Sequence, residues 1–184
     1  MQYVEQVAAR PDEVRASRPG DGIVPDAAVV MDRAFDVPGS TDQVWPWLLQ
    51  LGKRRAGWYL PRRLERSLPL GRRGLRHVDG RFTGLEVGDV IPDWGGKDET
   101  FTVVELQPPD HLVYRSQRGR TAVSWAICLR TTGESGTRVH LRLRLGPVKH
   151  VRLAERVGGA FDLATIALLA AGLRERLDQP ERVS

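Results

Sequence analysis

A single cysteine, Cys128, stands among 184 residues. That excludes an internal disulfide and any cysteine metal cluster. Its apolar setting, SWAICL, is that of a buried, inert thiol. Lysine is nearly as scarce, since 25 of the 28 cations are arginine, a bias that genome composition explains first and anion recognition second. The four histidines form no HExxH or HxH pattern, so no metal site is expected. There is no GxGxxG or Walker loop, hence no cofactor is expected, and Ser124 lacks the GxSxG context of a nucleophile. The opening MQYVEQVAARPDEVR lacks the basic-then-apolar order of a signal peptide. One apolar stretch, VGGAFDLATIALLAAGL at 157–173, is shorter than the roughly 20 residues of a bilayer span. Asp162 and Thr165 interrupt it and Arg174 and Arg176 follow. A core helix, no transmembrane segment and a reduced, cytoplasmic setting are the expectation.

The length suits one domain of ordinary size. Residues 1–24 are polar and carry Pro11, Pro19, Gly20 and Gly22, with a short helix signal over Gln2 to Ala9, so they read as a flexible N-terminal arm. A strand is expected within 26–37, stopped by Pro38-Gly39. Ser40 and Gln43 have the spacing of a capping box, and Val44, Trp47, Leu48 and Leu51 fall on one helical face. Pro46 is expected near the first turn of that helix, where a missing N–H costs little. From Leu85 onward short strands alternate with the turns GGKD, PPD, QRGR and GESG, the pattern of an antiparallel meander. The last strand alternates strictly. Val139, Leu141, Leu143 and Leu145 are expected inward, and Arg138, His140, Arg142 and Arg144 toward solvent. The final helix, 151–177, is apolar over most of its circumference and needs cover on several sides.

This order, with VWPWLLQLG, VGDVIP, FTVVELQPPDHLVY, SWAICL and TRVHLRLR as its markers, resembles the SRPBCC (START-like) superfamily, within it the bacterial polyketide cyclase/dehydrase-like proteins. The resemblance covers roughly residues 25–178 and implies an α+β helix-grip fold: a curved antiparallel sheet wrapped around a long C-terminal helix, with short helices after the first strand. Residues 179–184 would be a tail. It also implies an apolar cavity between sheet and helix that holds a small hydrophobic molecule, in some members a lipid or polyketide that is cyclised or dehydrated. Such a space is the ordinary place for a small-molecule site.

Large amphipathic rings suit that site, so Trp58, Tyr59, Trp94, Tyr114, Trp125 and Phe161 are the ligand-side candidates, although plain core packing accounts for many rings. A cyclase needs a positioned acid or base and a donor for the oxyanion. Tyr114 or His111 would serve as the first and Arg115 as the second, but strand alternation puts Tyr114 on the face opposite His111 and Arg115. Binding is therefore expected ahead of catalysis. The other feature is charge. Residues 53–81 carry ten cations against Glu65 and Asp79, a net +8, leaving −3 elsewhere within the chain's +5. A solvated arginine-rich loop is the simplest reading. Arg54 and Arg55 beside an anionic group of the ligand are the next. A nucleic acid or other anionic surface is the third.

Overall fold

The computed structural model describes residues 7–178. The expected tail, 179–184, and most of the helix suggested for Gln2 to Ala9 lie outside the described residues. Six antiparallel strands form one open, curved sheet in the order β1-β6-β5-β4-β3-β2. They are β1 (Val29–Pro38), β2 (Val90–Pro92), β3 (Thr100–Gln107), β4 (His111–Arg118), β5 (Thr121–Thr132) and β6 (Gly136–Gly146). Short helices α1 (Pro11–Arg15), α2 (Thr41–Gln50) and α3 (Arg62–Glu65) precede β2. The chain ends in α4 (Val151–Leu153), a π-helical turn (Ala154–Gly158) and the long α5 (Gly159–Leu177). This is the α+β helix-grip fold.

Helix α2 begins as its sequence dictates. The Ser40 hydroxyl accepts from the Gln43 backbone N–H at 3.4 Å, and the Gln43 side chain accepts from the Ser40 N–H at 2.9 Å. Two details differ from expectation. Pro46 lies at the sixth residue of the helix, past the first turn. Trp45, Leu49 and Gln50 are buried along with the expected Val44, Trp47 and Leu48. The helix is wedged between sheet and α5, so more than one face is covered.

On the concave face Phe35, Val139, Leu141, Ile127, Leu129, Leu112 and Val103 meet Ile166, Leu169, Ala170 and Leu173 of α5. The helical run Val151–Leu177 is long and apolar enough to cross a bilayer, but its C-terminal half is spent on this core. Gly172 allows the close approach: a Cβ there would stand 2.6 Å from the Tyr59 carbonyl. The N-terminal half differs from the expected all-round cover. Leu153, Val157 and Phe161, one turn apart in succession, face solvent.

The convex face is the larger correction. Arg138, His140 and Arg142 are buried, and the described residues of the expected arm lie across them. Arg138 pairs with Glu13 at 2.8 Å and Asp36 at 3.0 Å. Arg142 pairs with Asp32 at 2.8 Å and Asp21 at 2.9 Å, and donates to the carbonyls of Glu13, Val14 and Ala16. Arg144 donates to the Val24 and Pro25 carbonyls. Gly20, at φ +80°, packs where a Cβ would stand 2.5 Å from a Val113 methyl. The segment is polar because it answers arginines, not because it is free.

One consequence is acid sensitivity. The hydrogen bonds from Arg138 hold the Glu13 carboxyl down from 4.5 to about 2. A carboxylate depressed by folding contributes stability that is complete above its unfolded value and is lost as pH falls through its folded one. Thermal melts are expected to show Tm falling as pH drops from 4.5 toward 2, with a shallower fall in Glu13→Gln. Identical slopes for the two proteins would contradict this role.

Candidate functional site

After α2 the chain makes a tight turn, GKRRAG, closed by a bridge between Gly52 and Gly57. Within it Arg54 takes the left-handed conformation, φ 59°, and its side chain is exposed. Arg55 folds back. Its guanidinium donates to the carbonyls of Leu49, at 3.0 Å, and Phe82, and it lies over the Phe82 ring at 5.4 Å. Lys53 reaches across to the carbonyls of Asp93, at 2.9 Å, and Gly96, at 2.8 Å. The turn therefore clamps neighbouring loops, and of its three cations only Arg54 is unengaged among the described residues.

The next two residues part company. Tyr59 is fully buried; its hydroxyl donates to the Trp47 carbonyl at 2.8 Å and accepts from Gln50 at 2.9 Å. The Arg176 guanidinium covers its ring at 4.5 Å. Tyr59 is architecture. Trp58 points toward the sheet, with its indole N–H donating to the Thr165 carbonyl of α5 at 3.2 Å.

There Trp58 joins a cluster of five rings. It meets Trp94 edge-on at 5.4 Å and lies nearly parallel to Trp125 at 6.5 Å. Trp125 stacks on Tyr114 at 5.7 Å, and Phe101 touches both at 5.9 and 5.6 Å. Sheet register explains the convergence, since Tyr114 pairs with Trp125 across β4 and β5 and with Val103 across β3 and β4. Rings in mutual contact, rather than an open chamber, occupy this space. Yet the cluster is not sealed. Trp94 is 47% exposed, and Trp58, Trp125, Leu143, Leu145 and Leu163 are only partly buried.

Polar groups border the rings. Arg118 is ion-paired with buried Asp93 and lies over Phe101 at 5.6 Å. Ser116, two residues beyond Tyr114 on the same face, has a buried hydroxyl with no hydrogen-bond partner among the described residues. On α5, Asp162 pairs with Arg33 at 2.9 Å, and burial pushes its carboxyl up. Burial also pushes the Tyr114 phenol up, so it stays protonated at neutral pH and is no base.

Four of the sequence candidates thus come together: Trp58, Trp94, Tyr114 and Trp125. Phe101 was not among them, although its period-2 position in FTVVELQ would have placed it on the same face. Phe161 is 71% exposed on the outer side of α5 and makes no ring contact among the described residues. The catalytic set does not converge. His111 lies on the other face of β4, bonded to Asp110 at 2.8 Å and near Glu105 at 3.6 Å, and Arg115 is exposed there. The two-residue repeat of a strand separates them from Tyr114.

No protein-family model matches the chain, and no curated protein sequence does. Solved structures do. A Rhodobacter sphaeroides protein is 16% identical over 85% of this chain and 97% of its own, with a TM-score of 0.53. Protein CV1439 from Chromobacterium violaceum is 11% identical over 82% of this chain and 99% of its own, at 0.52. Protein MLL2253 from Mesorhizobium loti is 14% identical over 83% and 99%, at 0.51. At these identities the likeness shows the fold. The chain has the helix-grip architecture.

Proposed function

We infer that the protein binds a small, mainly apolar molecule between the concave sheet and the N-terminal half of α5. The observation that carries this reading is the half-open ring cluster. Five rings from five separate segments converge on one face, and three of them remain partly exposed. A plain core gains most by burying such rings fully; a binding surface leaves them available to a flat partner. The nearby cations Arg33, Arg118, Arg55 and Lys53 are already engaged, so the ligand's polar handle is better matched to hydroxyls than to a salt bridge. The orphan Ser116 hydroxyl, beside Tyr114, suits a carbonyl or hydroxyl on the ligand. A cyclase or dehydratase using the same site would have to take Tyr114 as proton donor with Asp162 or Ser116, rather than His111 or Arg115. Its expected setting remains cytoplasmic.

Native mass spectrometry tests the binding reading. Protein purified without detergent is expected to carry one organic molecule under gentle conditions and to lose it on denaturation. Equal masses in both conditions would count against a resident ligand.

A further inference from the structure

Most of the unpaired positive charge in the basic segment sits on one loop, residues 61–73, which reads PRRLERSLPLGRR. Its two ends meet at a single guanidinium. Arg176 donates to the carbonyls of Leu60 at 3.1 Å, Gly74 at 3.2 Å and Leu75 at 2.7 Å. Such a loop, closed at its base, is an Ω-type excursion. Glu65 alone among its charged residues turns inward, bonded to Arg176 at 2.5 Å and Arg76 at 2.9 Å. Arg73 braces the loop from outside through the carbonyls of Leu68 and Arg66. The platform is therefore built, and what it presents is not accidental packing.

It presents two chemistries together. The side chains of Arg62, Arg63, Arg66 and Arg72 are exposed, and no hydrogen bond or ion pair engages them among the described residues. Between them stand Leu64 and Leu70, 46% and 78% exposed. Leu70 sits at the tip between Pro69 and Gly71, where folding gains nothing from an apolar side chain. Guanidinium forks match phosphate oxygens, and exposed leucines ringed by cations match the boundary between headgroups and acyl chains.

A nucleic acid would draw on the same charge, but it also wants rings on which bases stack. The rings in and next to this segment are committed elsewhere: Tyr59 is buried, Trp58 is in the cluster, and Phe82 lies between the guanidiniums of Arg55 and Arg81. A discrete anion pocket fits less well too. Arg62, Arg63 and Arg66 do converge on a groove of about 380 Å³, but Arg76, Glu175 and Asp178 line it with them, so its charge is mixed. We propose that residues 61–73 dock the protein on an anionic phospholipid surface, with Leu64 and Leu70 entering the interface and Arg62, Arg63, Arg66 and Arg72 holding headgroup phosphates. This rests on a different surface from the ligand reading and stands or falls separately.

Co-sedimentation with extruded vesicles tests it. Wild type is expected to bind vesicles of phosphatidylcholine with roughly one-third phosphatidylglycerol, to ignore phosphatidylcholine alone, and to release as salt rises. Arg62→Ala/Arg63→Ala/Arg66→Ala should weaken binding roughly fivefold per arginine, about a hundredfold in all. Leu64→Ser/Leu70→Ser keeps every charge and should still weaken it by about tenfold or more. All five side chains are exposed, so unchanged melting temperatures are expected to confirm intact folding. No binding to the anionic vesicles would overturn the proposal. So would full binding by the leucine variant, which would reduce the contact to charge alone. A parallel arm with single-stranded DNA at equal phosphate concentration decides the alternative: tighter binding to DNA, unaffected by the leucine pair, would assign the loop to nucleic acid instead.

Discussion

Glu65→Ala is expected to cost about 3–5 kcal/mol of folding stability, the range for removing one partner of a buried ion pair. The Arg176 side chain is fully buried and that of Glu65 is 4% exposed, with 2.5 Å between them. Burial disfavours the charge on Arg176, and the hydrogen bond to Glu65 offsets part of that cost. Without the carboxylate, the guanidinium keeps its carbonyl partners at Leu60, Gly74, Leu75 and Gly172 but loses its counter-charge. Against a typical domain stability of about 5–15 kcal/mol, that loss is large. Urea denaturation measures it. The same variant should open the loop at 61–73, so trypsin is expected to cut at its arginines faster than in wild type. Glu65→Leu/Arg176→Met should recover only part of the stability, because it removes the uncompensated charge but leaves the Leu60, Gly74 and Leu75 carbonyls without their donor. A loss below about 1 kcal/mol, with unchanged proteolysis, would mean the pair is screened as surface pairs are.

The elements that were legible in the sequence are those whose signal is local. The capping box at Ser40 and Gln43 is there because its spacing is a matter of one helical turn. The strand β6 forms where its alternation placed it, because period 2 is built into extended backbone, although its burial does not alternate. What alternation does not carry is the identity of whatever covers each face. Arg138, His140 and Arg142 have the pattern of a solvated row, yet they are buried because Glu13, Asp21 and backbone carbonyls from a polar, Pro- and Gly-containing segment answer them. Nothing local marks that segment as a lid.

The site divides the same way. Trp58, Trp94, Tyr114 and Trp125 were recognisable as large amphipathic rings, and sheet register brings them together. Tyr59, their sequence neighbour, goes to the core because Gln50 and the Trp47 carbonyl satisfy its hydroxyl. Arg55 turns back onto the Leu49 and Phe82 carbonyls, a contact set by the fold of a distant loop. Phe161 belongs to the apolar pattern of its helix but lies beyond the reach of the sheet that covers Ile166 and Leu169.

The ring cluster makes its own demand on a ligand. Trp94 is nearly half exposed and meets Trp58 edge-on, so it can be removed without opening the core. A buried aromatic contact is worth about 0.5–1.5 kcal/mol beyond its area, so its loss corresponds to roughly tenfold in affinity. An amphipathic dye, 1-anilinonaphthalene-8-sulfonate, reports directly, because dye held against Trp58, Trp94 and Trp125 quenches tryptophan emission as its own emission rises. Titration of the folded protein with this dye is the decisive measurement. Wild type should show saturable binding of one dye per chain with matching tryptophan quenching. Trp94→Ala should bind about tenfold more weakly, and Arg115→Ala, altered on the opposite face, as wild type does. No saturable binding to wild type, or equal affinity in Trp94→Ala, would contradict a ligand site on these rings.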